Sequence, residues 1–244
     1  NYASSSIMGA HSVKKVSNPD DDYDTADPDY GGFHVSAVKP QIFDHDGNAS
    51  NNVYFKLSGT LLSLNDVVLT SSLFYDVYDN EKWNLAVKVK PSKFGGEFLS
   101  GTIDPYGSAP LNDATYDVEF YGVNMVQDQI INEFHVSSSV TYTVGRRFIS
   151  TPKRFFVGAR RVDVDGDVID RADTKISSLR YWLTPLTNEE IKAHARDPFN
   201  RGISNPQGSA YFQSTKLVQS TLESPGHVPR FKTLALDWDF DGLT

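Results

Sequence analysis

Trp83-Asn84-Leu85-Ala86-Val87-Lys88-Val89-Lys90 decides the fold class. Trp83, Leu85, Val87 and Val89 fall on one face, and Asn84, Lys88 and Lys90 on the other. That is the period-two pattern of a strand with one side on a core and the other in water. Segments of the same kind flank it: Phe33–Val38, ended by Pro40, Val53–Leu57, one or two strands within Leu61–Leu73, and Tyr116–Gly122. Val136–Val144, Arg154–Arg160, Ile176–Leu183 and Leu234–Phe240 follow. Between them lie turn signals. Asp44-His45-Asp46-Gly47-Asn48 is one cluster, and Pro91–Pro110 is a Gly- and Pro-bearing loop. Asp165-Gly166, between Val162, Val164 and Val168, is a hairpin signal. Thr187-Asn188-Glu189-Glu190 is a capping box, and Ile191–Arg196 continues it as a short helix stopped before Pro198. About ten short strands and one small helix predict an all-β, antiparallel two-sheet sandwich.

Composition agrees. The 244 residues are 39% hydrophobic and 22% charged, enough for a core in one large domain. Asp outnumbers Glu, 24 to 7, which favours turns over helices. The net charge of −8 excludes a generally basic nucleic-acid or anionic-membrane surface. No apolar run reaches a membrane span, so membrane insertion is not expected. Without Cys there is no disulfide framework, Cys-ligated zinc or Cys nucleophile. The first residue is Asn rather than Met, which reads as a processed product or a piece of a longer chain.

Catalytic patterns are sparse. A glycoside hydrolase on a sandwich needs two carboxylates on one strand face, about 5–5.5 Å apart for retention. Among the 7 glutamates, Glu119, with Asp117 two residues before it, makes the best same-face pair, and no third carboxylate follows on the strand. Glu189 and Glu190 are accounted for by helix capping. The 6 histidines form no zinc motif, and nucleophile-elbow and phosphate-loop patterns are missing.

Two binding signals remain. Asp163, Asp165 and Asp167 around Gly166 are either the tip of a hairpin or a calcium loop, and Asp44, Asp46 and Asn48 form a second oxygen-rich turn. Calcium is the one cofactor left open. Arg146, Arg147, Lys153, Arg154, Arg160 and Arg161 form a basic run with no acid between Glu133 and Asp163. It reads as a solvated face or as a dock for an acidic neighbour or a sulfated glycan. Trp83 belongs to the core by its alternation, whereas Trp182 and Trp238 are either core or sugar-stacking residues.

The segment Phe155-Phe156-Val157-Gly158-Ala159-Arg160, then Ile176–Leu183, then Leu186-Thr187-Asn188-Glu189-Glu190-Ile191-Lys192-Ala193 resembles the C-terminal part of a laminin-G-like, concanavalin A-like jelly-roll domain. Trp83–Val87 and Tyr116–Gly122 resemble earlier strands of that family, and Leu234–Asp241 resembles its opening strand. The resemblance implies a jelly roll with one short C-terminal helix over residues 32–197. An acidic arm or loop over residues 1–31, with Asp20, Asp21, Asp22, Asp24, Asp27 and Asp29, would precede it. An extended segment, 198–244, ending in a strand, would follow.

That fold serves binders, scaffolds and enzymes alike. The expectation is a non-catalytic module of a larger surface or virion structural protein, such as a phage particle component, acting in assembly or attachment. Its partners would be other chains or modules of that assembly, at the virion or extracellular surface. The alternatives are a calcium-dependent, glycan-binding lectin-like module and a glycoside hydrolase.

Overall fold

The computed structural model describes residues 3–12, 32–60, 67–92, 115–141, 144–145, 148–149, 153–161, 167–203 and 234–240. The chain is mostly β, with antiparallel strand pairing throughout the named ladders and little helix. It divides into two compact units, Asn1–Ile176 and Ser177–Thr244.

The first unit holds two main sheets. One has the order β4-β3-β2-β1-β8, built from β1 (Ser4–Ser12), β2 (Gly32–Val38), β3 (Tyr54–Thr60), β4 (Val68–Thr70) and β8 (Lys153–Val157). The other has the order β5-β6-β7, built from β5 (Trp83–Pro91), β6 (Thr115–Val126) and β7 (Gln129–Thr141). Their inner faces meet in one core. Phe55 of β3 stacks on Phe134 of β7, with ring centroids 5.7 Å apart, and lies 4.8 Å from Trp83 of β5. Val35, Leu57, Val118 and Phe120 are fully buried between the sheets. Trp83, Leu85, Val87 and Val89 all pack against this core, so β5 presents the face its alternation predicts. Trp83 itself is half-buried, and its indole N–H donates to Glu81 Oε2 at 2.9 Å. Opposite Leu85 on β6 stands Gly122, where a Cβ would lie 2.2 Å from the Phe134 ring.

Residues 4–12 correct the reading of 1–31 as an arm. They form β1, paired with β2 on one side and β8 on the other. The acids that suggested an arm all lie beyond Pro19 and outside the described residues. Ser4, Ser5, Ser6, Gly9 and Ala10 lack the bulky β-branched and aromatic signal of a strand. Their smallness fits a crowded position: a Cβ on Gly9 would sit 2.8 Å from the Phe33 carbonyl oxygen.

A short ladder joins β9 (Ala159–Arg161) to β10 (Val168–Arg171), the hairpin that Asp165-Gly166 signals, although residues 162–166 lie outside the described set. Ser4 Oγ donates to Asp170 Oδ2 at 3.0 Å, and the Asp173 N–H donates to Ser5 Oγ at 2.9 Å, tying this hairpin to β1.

In the second unit, β11 (Ser178–Trp182) pairs with β12 (Leu234–Asp239), and helix α1 spans Asn188–Arg196. Thr187 caps the helix: its Oγ1 accepts from the Glu190 N–H at 3.2 Å, and Glu190 Oε2 accepts from the Thr187 N–H at 2.7 Å. Arg180 Nε donates to Asp237 Oδ1 at 3.0 Å, across the β11–β12 ladder, and Arg201 pairs with the other oxygen.

Candidate functional site

The outer face of the three-stranded sheet carries the most concentrated chemistry among the described residues. Alternation turns Lys88 and Lys90 of β5, Asp117, Glu119 and Tyr121 of β6, and Glu133, His135 and Ser139 of β7 away from the core. Register then sets Lys88 opposite Glu119, Lys90 opposite Asp117, and His135 opposite Tyr121. Lys88 Nζ lies 2.5 Å from Glu119 Oε2, Lys90 pairs with the other oxygen, and His135 Nε2 lies 3.2 Å from Oε2. Ser139 Oγ donates to Asp117 Oδ1 at 3.0 Å, and Tyr121 OH donates to Glu133 Oε1 at 2.8 Å.

Glu119 is only 6% exposed. Burial pushes its pKa up, but the hydrogen bonds and charges of Lys88 and Lys90 outweigh that and hold it at about 2. It is therefore ionised at neutral pH. A general acid must carry a proton to give, so Glu119 in this arrangement is not poised as one. Its charge is already matched by two ammonium groups.

Of the described members of the basic run, Arg154, Arg160 and Arg161 gather on the outer face of the five-stranded sheet around His11, His34 and Phe156, while Lys153 turns to the core side. Arg146 and Arg147 lie outside the described residues. Lys153 and Arg154 are neighbours on β8 and so project to opposite faces. Lys153 Nζ sits 4.6 Å from the Phe148 ring centroid, and burial pulls its pKa down to about 8. Arg154 is exposed beside His11 of β1, its ladder partner. Arg161 packs over Phe156, 5.9 Å from the ring centroid. On the outer face of the five-stranded sheet, His34 is held at a pKa of about 4 by burial first, then by the charges of Arg160, Lys56 and His11.

Asp163 and Asp165 of the candidate calcium loop lie outside the described residues, and Asp167 is exposed. Among the described residues no cluster of three or more His, Asp or Glu is placed to hold a metal. The Asp44 turn closes on itself: Asp44 Oδ1 accepts from the N–H groups of Asp46 at 2.9 Å and Asn48 at 2.8 Å. Trp182 is half-buried and stacks on His194 of α1, with centroids 5.2 Å apart and planes at 14°. His194 Nε2 in turn lies 2.7 Å from the Gly202 carbonyl oxygen. One face of Trp182 is thus occupied within its own unit. Trp238 is 41% exposed.

Sequence reasoning found Asp117 and Glu119 on one face but missed the lysines that neutralise Glu119. Lys88 and Lys90 read as a wet face, and only the register of β5 against β6 turns that face into ion pairs. No helix of the described residues is long and apolar enough to cross a membrane. No family model, no curated protein and no solved structure matches this chain.

Proposed function

We propose that the chain is a non-catalytic jelly-roll module, of the concanavalin A-like and laminin-G-like kind, within a larger surface or virion structural protein. It acts in assembly or attachment, at the virion or extracellular surface, through contacts with other chains or modules. The observation that carries this reading is Glu119 clamped between Lys88 and Lys90. The best same-face carboxylate pair of the sequence, Asp117 and Glu119, has one member locked as an anion and buried, which suits a scaffold. Two carboxylates doing acid and base work need their pKa values pushed apart, one of them upward.

The test is a glycan array run with and without calcium, together with a polysaccharide hydrolysis assay. The expected result is a blank array and no hydrolysis. A calcium-dependent hit would replace this reading with a lectin. Hydrolysis abolished by Asp117→Asn, in a variant that keeps its circular dichroism spectrum, would replace it with a glycoside hydrolase.

A further inference from the structure

Three connections meet at one end of the two packed sheets: residues 39–53 after β2, residues 71–82 between β4 and β5, and the β6–β7 turn. The bridge between Val53 and Phe74 ties the first two together, as do the Asn51 side-chain N–H to Asp79 Oδ1 at 2.9 Å and the Val77 N–H to the Asn51 carbonyl at 3.0 Å. Phe74 lies 4.7 Å from the Trp83 ring, and Trp83 pairs with Asn124 at the foot of the β6–β7 turn.

This end is apolar at its surface. Phe43 is 56% exposed, Tyr75 66%, Ile131 52% and Val126 50%, with Leu73 and Ile130 also exposed. Exposed apolar groups gathered on the connections at one end of a folded domain mark contact sites more than stability. The same connections carry Asp44, Asp46, Asp76, Asp79 and Asp128, all exposed. Within these connections Lys82 is the one exposed Lys or Arg, because Lys39 is buried, with its Nζ over the Tyr78 ring at 4.0 Å.

The backbone singles out the same end. Asp76, Asn80, Gln127 and Asp128 have φ of 60°, 61°, 47° and 67°, and they are the only non-Gly residues in the left-handed region among those described. Such conformations cost on the order of 1 kcal/mol each and persist where the surrounding structure enforces them. The loops are held in shape by their bridges and hydrogen bonds. A partner would meet a preformed surface and pay little ordering entropy.

Exposed apolar groups interspersed with acids select a complement that is apolar and basic. We infer that this end docks a polypeptide surface that combines apolar groups with Lys or Arg, supplied by a neighbouring chain or module. A second copy presenting the same end would bring Asp against Asp. An anionic lipid surface would be repelled in the same way. The inference rests on the assembly reading and names the surface through which it works.

The probe is a short amphipathic helical peptide with Leu on one face and Lys on the other, compared with a Leu and Glu counterpart. Each is titrated into the full chain at two salt concentrations. The Leu/Lys peptide should bind, and the Leu/Glu peptide should not. A triple variant, Phe43→Ser with Tyr75→Ser and Ile131→Ser, should weaken binding at least about tenfold, as loss of central apolar anchors does. The variant Asp46→Asn with Asp76→Asn and Asp128→Asn should weaken it and reduce its salt dependence. Hydrogen exchange on the wild-type chain, which needs no variant to fold, should show peptide-induced protection within 39–53, 71–82 and 125–131.

Equal binding of the Leu/Glu peptide, unchanged affinity in either folded triple variant, or protection elsewhere would overturn the inference. So would wild-type self-association, or binding to phosphatidylcholine vesicles, that the apolar triple variant abolishes. A glycan hit or hydrolysis overturns the proposed function whatever the peptide does. A silent peptide titration beside a blank array overturns this surface alone.

Discussion

Lys88 and Glu119 face each other across the β5–β6 ladder with 2.5 Å between Nζ and Oε2, and each side chain is only 8% exposed. Two charges so shielded from water hold each other ionised, and removing Glu119 takes from Lys88 the anion it faces. Glu119→Gln should therefore destabilise the first unit by about 3–5 kcal/mol, the usual cost of breaking a buried pair from one side. Replacing Lys88 and Glu119 together, by Met and Leu, should cost much less. Denaturant unfolding of the single and double variants checks both statements.

The same carboxylate sets an acid limit. Its folded pKa of about 2 lies below its ordinary value of 4.5. The stabilisation is thus fully present above about pH 4.5 and is lost as pH falls toward 2. It is worth on the order of 3 kcal/mol. In Glu119→Gln the stability curve should flatten across that window, measured by urea unfolding at stepped pH.

His34 governs a higher window. Its folded pKa of about 4 lies below 6.5, so the unfolded chain binds a proton that the folded chain refuses. Stability should drop as pH falls from about 6.5 to 4, and His34→Gln should remove that slope while leaving the Glu119 window intact. Parallel slopes in wild type and His34→Gln would show that His34 is not the group responsible.

Trp83 and Trp238 should separate cleanly. Trp83 packs on Phe55, Phe74 and Phe134, so Trp83→Ala should cost roughly 3–5 kcal/mol. Trp238 is 41% exposed, and Trp238→Ala should cost far less. Thermal melts of the two variants give the comparison.

Thr187→Ala should remove one half of the capping box and cost about 1 kcal/mol of helix stability. Thr187→Asp should restore it, because its carboxylate can accept from the same Glu190 N–H. Amide exchange rates over Asn188–Arg196 report the change directly.

Several of these elements were legible in the sequence. The faces of β5 followed from the alternation of Trp83–Lys90, and the helix start followed from Thr187 and Glu190, because both signals are local. Other elements were hidden for physical reasons. In β1, Ile7 and Met8 stand between Ser, Gly and Ala residues that carry no strand signal of their own. β7 was expected only from Val136, yet it begins at Gln129, because Gln127-Asp128 turns the chain in left-handed conformations without Gly or Pro to announce it. At the candidate site, the sequence put Asp117 and Glu119 on one face. It could not place Lys88 beside Glu119, since register belongs to the pairing of two strands and not to either one.

The position of β1 bears on how the chain is made. Met8 pairs with Val35 nearby in sequence and with Val157 much farther along. On the ribosome, β1, β2, β3 and β4 can assemble early, but β1 keeps one bare hydrogen-bonding edge until β8 has emerged. That edge, Met8–Ser12, has no Lys or Pro to blunt it. Translation halted between β7 and β8, or a chain truncated there, would leave a sheet ready to pair with other nascent chains. Pairing of Lys153–Val157 is what covers this edge, and it moves the open side of the sheet to a strand that begins with Lys153 and Arg154.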